Sequence, residues 1–409
     1  MSIAQRVVVT VTVSGSLLGL LAPVAAWSTP VADRIQPTHR SGFPNYRLTT
    51  MPPPAGDRAF GASITNTGLV AGTASREDGT TYAVQWRTGQ EPLEIDPLGG
   101  DGASSASLWP VKNNAGAVVG ITQTDAPDPN DESWSCSAFL PARPGYACVG
   151  FVHRDGITTP LPTLGGTHGF ATGINNRGQI VGWAETTYED PTCTDDQVLQ
   201  FLAVRWDEYG DRTTVLPPLA PDSASAATAI NDRGTVVGIS GDCGFAVGGF
   251  SARNPVVWDR GAPRPLPDLG GVAWDTPMSL NRAGDIVGFL NRSEADGIAF
   301  RPLPVWWTRH GTLRPLDLPA GYDFGQALGI NARRQITGVA FPARADGRPD
   351  FTQGIAVLWH HEAVQVLEDL APDDRYTLVS ANDINDRGQI TGEALDTHTG
   401  KYVAFVATQ

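Results

Sequence analysis

The sequence predicts an all-β fold: a seven-bladed β-propeller of four-stranded antiparallel blades, closed by an N-terminal strand that completes the last blade. Three observations carry this. A strand–turn–strand unit recurs seven times, each recurrence has room for four short strands and little helix, and the last unit is one strand short. The copies are Ile64–Gly72, Lys112–Gly120, Ile174–Gly182, Ile230–Gly238, Leu280–Gly288, Ile330–Gly338 and Ile384–Gly392. Their closing glycines are spaced by 48, 62, 56, 50, 50 and 54 residues. A mean of about 53 residues exceeds a two-helix repeat and suits four strands of about 5–6 residues with their connections. No helical periodicity competes, and 32 prolines and 46 glycines interrupt the chain too often for long helices.

From the N-terminus, residues 1–26 read as a secretory leader. Arg6 is their one charge, Val7–Leu21 is mostly apolar, and Val24, Ala25 and Ala26 offer small residues for cleavage. The apolar run, interrupted by Ser14, Gly15 and Ser16, is short for a membrane span; an uncleaved anchor is the competing reading. Residues 27–42 form a flexible linker, and the propeller occupies 43–409. In the third unit strand a is expected near Phe170–Ile174, b near Gln179–Ala184, c near Phe201–Trp206 and d near Thr213–Leu219. Strand c recurs as Ala83–Trp86, Pro255–Trp258, Pro304–Trp307 and Ala356–Trp359, and strand d as Arg264–Leu269 and Arg314–Leu318. Trp86, Trp206, Trp258, Trp307 and Trp359 end the c strands in register and are expected in the inter-blade core.

The last unit has strands a, b and c, the last at Tyr402–Phe405, and then stops. Tyr46–Met51 precedes the first a strand without a partner of its own. Joining the two closes the ring and removes an open edge that would template aggregation. An array of β-sandwiches or an open β-solenoid is the competing fold.

Asn-x-x-Gly between two strands suits a type I turn followed by a left-handed glycine. Asn175, Asn231, Asn281 and Asn385 are expected to hydrogen-bond the turn backbone, while Gly178, Gly234, Gly284 and Gly388 supply positive φ. Arg334 stands where that glycine would be, at a cost of roughly 1 kcal/mol. The glycine after strand b is expected to admit a close neighbour. A ligand-binding ring of these asparagines has little room beside the turn role.

The formal charge is −14, and loss of Arg6 with the leader makes it −15; lysine occurs only at Lys112 and Lys401. No basic cluster of the kind nucleic acid requires is present, so no nucleic acid is expected as a partner. With export, Cys136, Cys148, Cys193 and Cys243 read as disulfides, preferably Cys136–Cys148 and Cys193–Cys243. Their spacing lacks the close pairing of a zinc site. No metal, cofactor or membrane span after cleavage is expected, and the chain reads as a monomer. The acidic stretches Asp125–Asp131 and Glu185–Asp196 do not match a spaced calcium loop and read as solvated.

The a–b and c–d turns share one face; the b–c loops and d–a connections share the other. Length variation falls in the b–c loops (121–150, 185–200, 239–254, 289–303 and 339–355), which makes that face the candidate binding face. It offers Arg58, Trp109, His168, Trp274, Asp275, Tyr322, Asp323 and Arg375, where exposed aromatics beside Asp and Arg could stack on a sugar or peptide. Signatures of catalysis are missing: there is no G-x-S-x-G elbow, no H-E-x-x-H and no glycine-rich phosphate loop.

Leu161–Gly182 runs from a Leu-Gly-Gly segment into Ile-Asn-Asn-Arg-Gly-Gln-Ile-Val-Gly, with the same halves at Pro267–Gly271 and Ile384–Gly392. In this the chain resembles the bacterial extracellular HAF-repeat family across residues 43–409. The family's His-Ala-Phe in strand c is replaced here by Ala-Val-x-Trp or Pro-Val-x-Trp. The resemblance implies secretion and a propeller-like fold, and no established activity. The expected function is that of a secreted, non-enzymatic scaffold for an extracellular glycan, cell-envelope or protein ligand. The alternatives are an exported glycosidase or lyase with carboxylates in the central channel, and a purely structural envelope protein.

Overall fold

The computed structural model describes residues 43–111, 113–132, 136–193, 197–246, 253–292, 299–361 and 363–409. The leader and linker expected over 1–42 lie outside the described residues, as does Lys112. β1 (Arg47–Met51) comes first in the chain and last in the ring. Blade 1 follows as β2 (Ala59–Ile64), β3 (Val70–Ser75), β4 (Thr81–Trp86) and β5 (Leu93–Ile95). Blade 2 holds β6 (Ser105–Ala106), β7 (Val118–Pro127), β8 (Tyr146–Arg154) and β9 (Ile157–Pro160). Blade 3 holds β10 (Gly165–Ile174), β11 (Ile180–Glu189), β12 (Leu199–Asp207) and β13 (Arg212–Leu216). Blade 4 comprises β14 (Ala224–Ile230), β15 (Val236–Gly241), β16 (Asn254–Asp259) and β17 (Ala262–Pro265). In blade 5 the strands are β18 (Thr276–Leu280), β19 (Ile286–Leu290), β20 (Leu303–Trp307) and β21 (Leu313–Pro315). Blade 6 contains β22 (Phe324–Ile330), β23 (Ile336–Phe341), β24 (Ile355–His360) and β25 (Ala363–Val366). Blade 7 has β26 (Tyr376–Ile384), β27 (Ile390–Asp396) and β28 (Tyr402–Thr408), and β1 is its outer strand. The seven four-stranded antiparallel sheets form a seven-bladed β-propeller. β1 pairs with β28 from Arg47 opposite Thr408 to Met51 opposite Ala404.

The glycine closing each repeat has a steric cause. In six blades the a–b pair carries a β-bulge at the same place, at Ala62, Thr172, Thr228, Met278, Leu328 and Asn382. Just before it, a strand-a carbonyl occupies the volume a β-carbon on strand b would need: the Phe170 oxygen at Gly182, that of Ala226 at Gly238, that of Ser380 at Gly392. The bulged residue then reaches the next blade. Thr172 Oγ1 donates to Ala227 O (2.7 Å), Thr228 Oγ1 to Pro277 O (2.6 Å) and Asn382 Nδ2 to Gly61 O (2.9 Å).

The turn asparagines do two jobs. Asn175 Oδ1 accepts the amides of Arg177 and Gln179, both at 3.0 Å, and the same pattern recurs at Asn231, Asn331 and Asn385. Each Nδ2 donates to the backbone carbonyl of the corresponding residue in the next blade: Asn113 to Asn175, Asn175 to Asn231, Asn231 to Asn281, Asn281 to Asn331, Asn331 to Asn385, and Asn385 to Thr65. Thr65 breaks the circuit, because its hydroxyl accepts from its own turn at Leu69 N. Arg334 adopts φ +59° in place of the glycine, and its guanidinium lies 3.0 Å from the buried Asp285.

The c-strand tryptophans fill the spaces between blades, as expected. The indole N–H of Trp206, Trp258, Trp307 and Trp359 donates to the carbonyl of Pro162, Pro217, Pro267 and Asp317 respectively, each in the connection entering that blade. Burial and a satisfied polar handle together fix each blade against the chain that precedes it.

Candidate functional site

The eight residues expected to line the loop face are spread around the ring, from Arg58 before blade 1 to Arg375 before blade 7. Two corrections concern the aromatics. Trp109 and Trp274 are 6 and 5% exposed, so neither offers a stacking platform. Trp109 packs edge-on against Phe139 and Phe170, covered by the long b–c insertion of blade 2. Trp274 takes φ +68° and leans on Phe300. Arg58 forms a two-pronged ion pair with Glu393 (2.8 and 3.0 Å) and lies over the Tyr402 ring. Arg375 is exposed and pairs with Asp396 at 2.7 Å; the Arg375 guanidinium holds that carboxyl far below the usual range. Tyr322 is half-buried, which pushes its phenol up, and Asp323 is exposed.

Asp275 is fully buried. One oxygen accepts from Asn291 N at 2.9 Å, and the other meets no hydrogen-bond donor among the described residues. Burial pushes its carboxyl up to about 8. The native state therefore holds a proton that the unfolded chain releases near pH 4, and stability present in acid is lost as pH rises toward 8. Asp275→Asn keeps the acceptor and removes the ionisation. It should match the parent at about pH 4 and exceed it by about 2–5 kcal/mol at about pH 8.5, at 1.36 kcal/mol per pKa unit. Urea melts at the two pH values check this; an equal difference at both would refute it.

His168 anchors a buried polar cluster that sequence reasoning did not assemble. Asp128 from the first acidic stretch and Glu185 from the second converge on it with Glu132. The rest of the first stretch is exposed, as a solvated loop should be, whereas the second departs from that expectation at Glu185 and Asp190. Glu132 and Glu185 are 0% exposed. Glu132 Oε1 accepts Val198 N (2.7 Å), Leu199 N (2.5 Å) and Gln197 Nε2 (3.3 Å). Glu185 accepts His168 N (2.7 Å), Thr167 N (3.1 Å) and Gln197 Nε2 (3.0 Å). Asp128 accepts Asn130 N (3.1 Å) and Glu132 N (2.6 Å), and its Oδ2 lies 3.2 Å from His168 Nε2. The Cys148 amide donates to His168 Nδ1 at 3.1 Å, so that nitrogen holds a lone pair and the neutral ring carries its proton on Nε2. Burial disfavours the imidazolium, but Asp128, Glu185 and Glu132 outweigh it and hold His168 above the usual range. Burial pushes Glu185 up.

Ligand atoms of Asp128, Glu132 and His168 lie within 4.8 Å of one another, close enough to grip a cation. Those ligand atoms already serve the protein. Every oxygen of the two carboxylates already accepts a hydrogen bond, Glu132 Oε2 from Asn130 Nδ2, and His168 points an N–H, not a lone pair, at the group. The adjoining cavity is about 30 Å³, room for about one water. This chemistry pins the long loop of blade 2 onto blade 3. The Cys136–Cys148 and Cys193–Cys243 disulfides, paired as expected, extend the tie within that loop and on to blade 4.

The open site is on the opposite face. A cleft of about 530 Å³ lies between the turns of blades 3 and 4. Arg177 and Gln179 come from the a–b turn of blade 3 and Arg205 from β12; Arg233, Gly234 and Thr235 come from the a–b turn of blade 4, with Asp259 from the end of β16 and Arg260 from the c–d turn that follows it. The constant length of these turns hid it. The available signal was the arginine at the same turn position in successive repeats, Arg177 and Arg233.

No protein-family model and no curated protein matches the sequence. Among solved structures the chain is similar to virginiamycin B lyase from Staphylococcus aureus (10% identity, 89% of this chain and 99% of that one, TM-score 0.49). An acylaminoacyl peptidase from Pyrococcus horikoshii (11% identity, 85% and 49%, TM-score 0.42) and a gluconolactonase from Xanthomonas campestris (15%, 51% and 69%, TM-score 0.28) are also similar. Likeness at these levels carries no activity over to this chain.

Proposed function

We propose that this chain is an exported, non-catalytic binding scaffold that engages an extracellular glycan or cell-envelope component. The observation that carries this reading is the division of labour between the two faces. On the loop face the clustered carboxylates are enclosed and consumed by backbone amides. On the turn face a cleft of ligand size is open and lined by unburied polar groups. Two disulfides, no described helix long and apolar enough to cross a membrane, and the resemblance to extracellular HAF-repeat proteins support export.

The carbohydrate-active alternative asks for two carboxylates about 5–10 Å apart beside a bound sugar. Glu132 and Glu185 both accept from the Gln197 amide, but both are 0% exposed and neither reaches an open surface. Incubation of the full exported chain with isolated envelope and extracellular polysaccharide fractions tests the reading. Retention without new reducing ends is expected. Release of reducing ends that Glu132→Gln or Glu185→Gln abolishes would replace it with catalysis.

A further inference from the structure

We infer that the cleft between the turns of blades 3 and 4 is a binding site for an acidic polysaccharide, one whose sugars carry carboxylate or sulfate groups. This rests on the binding-scaffold reading and names its ligand class. Four arginines line the cleft against a single aspartate, in a chain of net charge −14. The nearby Asp207 is already shared: Arg205 binds it at two atoms (both 3.1 Å), Arg212 at 3.4 Å, and Gln179 Nε2 at 2.9 Å. Arg177, Arg233 and Arg260 have no side-chain ion pair or hydrogen bond among the described residues. Three cations thus gather beside Asp259, with Asp232 on the adjoining turn held by Asn176 and Asp207 held by Arg205 and Arg212. This local excess of positive charge attracts an anion and lifts its local concentration.

The backbone prepares the arrangement. A β-carbon at Gly234 would come within 2.8 Å of Arg177 Nη2, so the glycine demanded by the turn's φ of +85° also lets that guanidinium lie across the neighbouring blade. Arg260 holds a left-handed φ of +56° at the tip of its own turn. The guanidinium fork matches planar carboxylate and sulfate oxygens bidentately.

The lining also selects among anions. It has no aromatic wall on which a neutral sugar or a nucleobase would stack and no apolar anchor pocket of the kind protein partners fill. Thr235 adds a hydroxyl that suits a hydroxyl-rich ligand. The cleft is large enough for a short run of sugars rather than a lone ion.

The test uses the full chain and immobilised polygalacturonate, dextran sulfate, neutral dextran, poly-glutamate and duplex DNA. Binding to one or both acidic polysaccharides is expected, weakening with added salt, with none to dextran. Arg177→Ala/Arg233→Ala should weaken it about tenfold to a hundredfold at unchanged melting temperature, the loss of two charge-assisted contacts. Arg177→Lys/Arg233→Lys should retain part of the affinity, which separates charge from misfolding. Undiminished binding by the alanine variant overturns the assignment, as does preference for poly-glutamate or DNA, or silence toward both acidic polysaccharides. If that silence is accompanied by retention on whole envelope fractions, the ligand class fails while the scaffold reading stands; without retention both fail.

Discussion

Deletion of residues 43–57 should turn the protein into an aggregating species with a sharply lowered melting temperature. β1 supplies the outer strand of blade 7 along five residue pairs, and its loss leaves β28 with an unpaired edge. The flanking contacts go with it. Tyr46 is 7% exposed, donates its amide to Leu370 O (2.7 Å) and accepts from Gln409 Nε2 (3.1 Å); Met51 is 8% exposed. Burial of two such side chains is worth about 3–6 kcal/mol, a large part of the roughly 5–15 kcal/mol that holds a domain folded. Size-exclusion chromatography with thermal melts reads the outcome. A peptide of residues 43–57 added in trans should restore the parent's elution and melting behaviour by strand addition. A truncated chain that elutes and melts like the parent would refute ring closure by this strand.

Arg58→Met should destabilise the protein by about 3–5 kcal/mol at about pH 8, the usual cost of leaving a buried charge without its partner. Arg58 enters blade 1 and Glu393 lies on β27 of blade 7, so this ion pair spans the same closing seam as β1. Glu393 is 1% exposed, and burial raises its carboxyl above the usual range even with Arg58 present. Stability linked to a raised carboxyl is complete in acid and lost as pH climbs through its folded value. Without Arg58 that value climbs further, so the cost of the substitution should shrink toward pH 4–5, where Glu393 takes up a proton. Arg58→Met/Glu393→Gln should recover most of the loss. Denaturant melts of the single and double variants across pH decide it; a single variant as stable as the parent at about pH 8 would show that the pair contributes nothing to closure.

The seam also shows why some residues were legible and others were not. Arg58 stood out as a charge beside the inner strand, but its partner lies 335 residues away and nothing local announces it. The same holds for the His168 cluster, where Glu132 caps amides 66 and 67 residues downstream. Both acidic stretches are conspicuous in sequence, and their composition favours solvent, where most of the first one lies; only the folded insertion turns Asp128, Glu132 and Glu185 toward backbone amides that need acceptors. Trp109 read as exposed because the sequence placed it in the connection entering blade 2, whereas it follows the inner strand β6. Phe139 and the loop that carries it fold back over the indole, and loop length alone does not reveal where a loop lies.

What the sequence by itself determined is the part governed by short-range physics repeated from blade to blade. The Asn-x-x-Gly turn, the glycine under the bulged carbonyl and the c-strand tryptophan each answer a constraint met within one blade or its immediate neighbour, so repetition amplified a weak local signal into a fold. The missing last strand followed from counting, and the preferred cysteine pairing from the placement of two cysteines in one insertion and two in the b–c loops of consecutive blades. Tertiary structure alone decided which carboxylates are buried, which aromatics are covered, and that three unneutralised guanidinium groups from two blades share one cleft. Those outcomes depend on distances between insertions and turns that occur once each. A single occurrence has no period to expose it, and burial and charge balance are sums over neighbours supplied only by the closed ring.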